Sequence, residues 1–149
     1  MLKAGLLTGL LGGALDIAAA LTVYLAVYDV SPVRILQSIA AGVQGPAAYE
    51  GGAASAALGL GLHFFIAICA GIVLVAAMAK ITLLRKWPLL TGVGFGVAMY
   101  YVMQKIVLPL SLAGAQTHDA KSLAIGLAIH MFIFGAPMGF AANRMLKGS

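Results

Sequence analysis

Two of the chain's three histidines, His63 and His130, stand in matched settings. Ala57-Leu-Gly-Leu-Gly-Leu-His63-Phe-Phe-Ile66 aligns with Ala124-Ile-Gly-Leu-Ala-Ile-His130-Met-Phe-Ile133, with six of ten positions identical. A neutral imidazole is the commonest nitrogen ligand for metals and titrates near physiological pH. Such a pair could therefore hold a metal or the iron of a b-type haem, or could take up protons. Asp16, Tyr100 and Gln104 are the other polar residues set deep in apolar runs, with Tyr24, Tyr28 and Tyr101 further along the same stretches.

Three readings of this group compete. In the first, His63 and His130 ligate a metal or haem b. Gly59 and Gly126 each fall four residues before their histidine, so a flat macrocycle could approach there, and Arg34, Lys105 or Lys121 could meet its propionates. In the second, Asp16, the histidines, the tyrosines and Gln104 form a proton-responsive site, because intramembrane ionisable residues are costly and suggest function. Only Thr8 and Thr91 would continue such a path beyond Asp16. In the third, the histidines hydrogen-bond neighbouring helices and serve packing alone.

These residues are positioned by apolar helices. Of 149 residues, 62% are hydrophobic and 9% charged, whereas a soluble domain carries about 25% charge. Four apolar runs, about 4–28, 56–79, 88–108 and 122–142, reach the roughly 20 residues needed to cross about 30 Å of hydrocarbon. The first is longer than the apolar stretch of a cleaved signal sequence, so it reads as a retained helix. The expected fold is an all-α, four-span integral membrane bundle in a single domain. At 1.5 Å per residue, His63 and His130 would lie roughly 10–12 Å below the outer surface, at one level.

Basic residues set the expected orientation. Lys3, Lys80, Arg85, Lys86, Arg144 and Lys147 fall at one end of the runs with no acid, and the other two loops hold Arg34 and Lys121 against Asp29, Glu50 and Asp119. Lysine and arginine favour the cytoplasm, so both termini are expected there, with Trp87 at the inner interface and Tyr28 and Tyr49 near the outer one. The net charge of +5 then follows from topology, and no nucleic-acid partner is expected.

Between the first two runs, Ser31–Gly42 predicts a short amphipathic helix over about 32–42, with Ser31 as N-cap and Pro32 at its first position. Val33, Leu36, Ile39 and Ala40 would form its buried face, with Arg34, Gln37 and Ser38 turned away. It is too short to span and would lie on the outer surface, with a re-entrant segment as the alternative. A flexible Gly45–Gly52 stretch would follow.

The matched histidine segments, together with Leu6-Leu-Thr-Gly9 and Leu89-Leu-Thr-Gly92, suggest two related two-helix hairpins in parallel orientation. Gly5, Gly9, Gly13, Gly92, Gly96, Gly135 and Gly139 recur at four-residue spacing and allow close helix approach, within the bundle or with another copy or subunit. Gly59 and Gly126 add to this packing set. Pro137 frees the carbonyl of Ile133 and should bend the last run.

No nucleophile elbow, zinc-protease motif or phosphate loop is present, and the lone Cys69 allows no disulfide. His118-Asp119 reads as a solvated turn. The chain is therefore expected to be non-enzymatic.

Leu62-His63-Phe-Phe-Ile, Arg85-Lys86-Trp87-Pro88, Leu90-Thr-Gly-Val and Val107-Leu-Pro-Leu-Ser111 resemble the YagU-like bacterial inner-membrane proteins. The resemblance implies a four-span inner-membrane protein with a link to acid resistance and no defined activity. An accessory subunit in a larger membrane complex, or a homo-oligomer, is the expectation from another class.

Overall fold

The computed structural model describes residues 1–114 and 119–148, so His118 of the expected turn lies outside the described residues. The described chain is all-helical. Four helices are long and apolar enough to cross a membrane: Leu2–Tyr28, Gly52–Lys80, Pro88–Leu110 and Ala120–Lys147. They comprise α1 (Leu2–Tyr28), α3 (Gly52–Lys80), the pair α5 (Pro88–Val102) and α6 (Leu108–Leu110), and the pair α7 (Ala120–Ala128) and α8 (Ala136–Lys147). The shorter α2 (Pro32–Gln44) and α4 (Thr82–Lys86) connect them.

Local chemistry sets the helix ends. Asp29 takes a left-handed φ of 53° and closes α1, its N–H donating to the Leu25 carbonyl. Aspartate tolerates that region better than most residues. Ser31 caps α2 by accepting from the Arg34 N–H at 3.3 Å, and Pro32 supplies the first helical φ. Gly45–Gly52 differs from the flexible stretch expected. Gly45 (φ 61°) breaks α2, Gly45–Glu50 forms a 3₁₀ helix capped by Gly51, and Gly52 (φ 56°) opens α3.

The buried face of α2 also differs from the expected one. Ala40 is buried as expected, but so is Gln37, while Val33 is half exposed. The reason is the neighbour. α2 lies across the first two turns of α3, where Gly52, Ser55 and Gly59 offer small side chains and polar atoms. Gln37 Nε2 donates to the Gly52 carbonyl at 3.3 Å, and Ser55 Oγ donates to Gln44 Oε1 at 3.0 Å. Arg34 lies 3.9 Å from the centroid of the Tyr49 ring.

Glycines bring the long helices into backbone contact. On α1, Gly9 faces the Ala67 carbonyl and Ile68, Gly5 faces Ile72, and Gly13 faces Ala67 and the Phe64 ring. On α5, Gly92 faces Gly135 and Ala136, and Gly96 faces the backbone of His130 and Met131. Gly139 returns the contact against Pro88 and Gly92. A β-carbon at any of these crossings would collide with backbone or with a packed side chain.

The core lies where α8 and the segment before it meet α1 and α3. Phe134, Met138 and Ala142 pack against Ala67, Ala70, Leu74, Val75 and Met78. α5 joins this core at its edge, with only Gly92, Gly96 and Tyr100 buried along its length. Large apolar side chains such as Leu10, Phe65, Val73, Leu90 and Phe140 point outward, the reverse of a water-soluble globule.

Two stretches widen from α to π geometry, Met103–Val107 and Ile129–Gly135. Each ends two residues before a proline, Pro109 and Pro137. Proline lacks an N–H, and its ring crowds the carbonyl four residues back. Widening the turn relieves that crowding, and the Leu108 and Ala136 N–H groups reach five residues back, to the Met103 and Met131 carbonyls.

Candidate functional site

Asp16 sits on α1, one turn after Gly12, and faces the helix that carries His130. It is buried, and its Oδ1 has no hydrogen-bond partner. His130 is the second residue of the π stretch Ile129–Gly135, and its Nδ1 lies 3.8 Å from Asp16 Oδ1. The same Nδ1 is 3.0 Å from the Gly126 carbonyl, one turn back on its own helix. The Gly126 carbonyl can only accept, so Nδ1 must carry the hydrogen.

That fixes the tautomer. Neutral His130 holds its proton on Nδ1 and keeps the Nε2 lone pair available. A second proton at Nε2 would make an imidazolium within ion-pair distance of Asp16. Tyr100, on α5, is buried and meets the His130 ring edge-on at a centroid distance of 5.4 Å. Phe134 closes another side at 5.8 Å.

His63 reaches the group from α3. Its Nε2 donates to the Gly13 carbonyl of α1 at 2.9 Å, which assigns that hydrogen to Nε2. Asp16, His63, His130 and Tyr100 are thus brought together around α1. Gln104 stands one turn beyond Tyr100, within the π stretch Met103–Val107.

Polar side chains continue from this group toward the α2 end. Tyr24 and Tyr28 stack at 5.4 Å, and the Tyr24 hydroxyl lies 3.5 Å from Ser122 Oγ. Lys121 Nζ lies 5.4 Å from the Tyr28 ring centroid. Ser122 escaped the sequence reading, as did the Gly13 and Gly126 carbonyls. A glycine one turn before a histidine was the available signal for Gly126, whereas nothing in the sequence points His63 at Gly13. Thr91 belongs elsewhere, donating to the Leu84 carbonyl at 2.8 Å. On the other side of Asp16, Thr8 is fully buried and meets Met145, and Met138 fills the space at Gly12 between them.

The arrangement does not fit a haem. The space at Gly59 is filled by the Leu36 carbonyl of α2, and that at Gly126 by the Tyr100 ring. Neither glycine leaves a face for a macrocycle. Arg34 and Lys121 lie against tyrosine rings. For a histidine-held metal, no group of three or more His, Cys, Asp or Glu side chains able to hold an ion occurs among the described residues. What the group brings together is an imidazole beside a buried carboxylate, with the Tyr100 ring against it.

No protein-family model matches the chain, and no curated protein or solved structure matches it either.

Proposed function

We propose that the chain is a non-enzymatic, multi-pass membrane protein whose Asp16–His130 pair, with His63 and Tyr100 around it, is a proton-responsive site. One observation carries the reading. A buried carboxylate oxygen without a hydrogen bond faces an imidazole Nδ1 at 3.8 Å, within helices long and apolar enough to span a bilayer. Polar groups in that setting are expensive to keep and are read as functional by default. Gln104 and the Tyr24–Tyr28 stack extend the site toward one membrane face.

The proposed setting is a bacterial inner membrane, with both termini cytoplasmic and α2 at the outer surface. Acid tolerance is the physiological role that the resemblance to YagU-like proteins favours. The proposed architecture is two related hairpins, α1–α3 and α5–α8. Aligning His63 with His130 and Gly9 with Gly92 makes Ile68 equivalent to Gly135 and Phe64 to Met131. Gly9 against Ile68 then corresponds to Gly92 against Gly135, and Gly13 against Phe64 to Gly96 against Met131. Equivalent positions make the same crossing in each hairpin, which supports the duplication.

The test is a pH titration of the histidine ring nitrogens by NMR, on protein in bicelles. Replacing Asp16 with Asn should move the midpoint of the His130 ring signals, because it removes the carboxylate that an imidazolium there would face. An unmoved midpoint would remove the pair from the mechanism and leave packing as the role of both residues.

A second reading draws on α5. Its exposed flank, with so few buried residues, suits an accessory subunit seated in a larger membrane complex or a homo-oligomer. A purified particle with the mass of one chain and its detergent belt, obtained under the mildest solubilisation, would count against it.

A further inference from the structure

α3 and α5 do not close on each other along their middle. An open groove of about 240 Å³ separates them, walled by Phe65, Ile66 and Val102 together with the chain's one cysteine and two of its seven methionines: Cys69, Met99 and Met103. Met99, on α5, and Met103, the first residue of the π stretch that continues it, are one turn apart and so share a face of that span. Cys69 faces them from α3. No side chain lining the groove carries nitrogen or oxygen.

We propose that Cys69, Met99 and Met103 form a binding site for a soft monovalent metal ion, Cu(I) or Ag(I). Three arguments support this assignment. Thiolate and thioether sulfur select Cu(I) over the hard cations, which need the oxygen ligands this groove lacks. Methionine side chains are flexible, so two of them on one helix face can adjust to a shared ion. Charge is the third argument. One thiolate and two neutral thioethers around a monovalent ion give a site of zero net charge, and only a neutral site suits an apolar surround. On binding, the Cys69 S–H bond breaks, a sulfur–metal bond forms, and the proton leaves to solvent. No redox change is involved, because the ion arrives and remains monovalent. The site shares no residue with the Asp16–His130 group, so either can fail without the other.

The experiment titrates the purified, reduced full-length protein in detergent against a coloured Cu(I) chelator. The wild type should withhold one equivalent of Cu(I) per chain. Cys69→Ser should abolish this. The isosteric pair Met99→Leu/Met103→Leu should weaken it by at least about tenfold, since losing even an outer-shell partner of a metal costs that much. Thermal melting of each variant checks that the bundle is intact. A wild type that withholds no copper would overturn the proposal. So would a methionine double variant that binds as tightly as the wild type, because the thiol would then act alone. His63→Ala/His130→Ala should bind copper like the wild type, and loss of binding in that variant would move the site to the histidines.

Discussion

Gly59 and Gly126 each precede a histidine by one helical turn, yet their missing side chains serve different neighbours. At Gly59 the backbone of α2 crosses α3, and a β-carbon would collide with the Leu36 carbonyl. At Gly12 the obstacle is the thioether end of Met138, which can swing aside. At Gly61 and Gly94 nothing lies within 4 Å. Alanine substitutions should therefore rank by what they meet. Gly59→Ala should cost about 1–3 kcal/mol, the range for overpacking against an unyielding neighbour. Gly61→Ala and Gly94→Ala should fall within about 0.5 kcal/mol of the parent. Equilibrium unfolding in mixed detergent micelles measures all three, and equal losses at Gly59 and Gly61 would contradict the crossing. The sequence shows that a backbone must come close at such glycines. It does not show which one, because the partner of Gly59 lies in α2 and not in the four-residue glycine series. The same limit applies to His63 and His130. Their common neighbour, Asp16, was legible as a polar residue in an apolar run. The carbonyls that fix their tautomers belong to glycines and carry no side-chain signal.

The kinked helices show what a residue pattern can specify at the level of an element. Pro137 was legible as a bend, but not as the cause of a seven-residue π stretch holding His130 at its start. A π turn holds about one residue more than an α turn, so closing it would rotate the preceding segment by about 100°. α7 and His130 would turn away from Asp16. Pro137→Ala restores the N–H and removes the ring clash, an exchange worth up to about 3 kcal/mol within a regular helix. The variant should be more stable, with a slowly exchanging amide at position 137, while Asp16→Asn should no longer move the His130 titration. An amide at 137 that exchanges freely would mean that packing, not the proline, holds the wide turn. α2 gives the complementary case. Its ends were legible in Ser31 and Pro32, since caps are local. Its buried face was not, because Gln37 turns inward for an acceptor supplied by another helix.

Across the whole molecule, six of the nine bases and three of the four acids separate to opposite ends, with Arg34, Lys105 and Lys121 toward the acidic end and Asp16 within its helix, and this bias constrains the topology. Lys3, Lys80, Arg85, Lys86, Arg144 and Lys147 gather at one end, where Arg85 Nη2 donates to the Leu146 carbonyl at 3.1 Å and so ties α4 to the end of α8. Thr8 near the start of α1 meets Met145 there as well, which brings the first helix to the same end. Asp29, Glu50 and Asp119 lie at the opposite end, beside α2. This sorting was legible before any packing was, because charge pattern needs only the order of the apolar runs. If the basic end faces the cytoplasm, single cysteines placed in a Cys69→Ser background should divide in two. Glu50→Cys should react with a membrane-impermeant maleimide on intact cells, and Lys86→Cys and Lys147→Cys only after permeabilisation. The opposite division would invert the bundle and turn the tyrosine end of the Asp16–His130 group toward the cytoplasm, where external acid would not reach it directly. Labelling of Lys86→Cys and Lys147→Cys from different sides would be graver, because no arrangement of four crossings permits it.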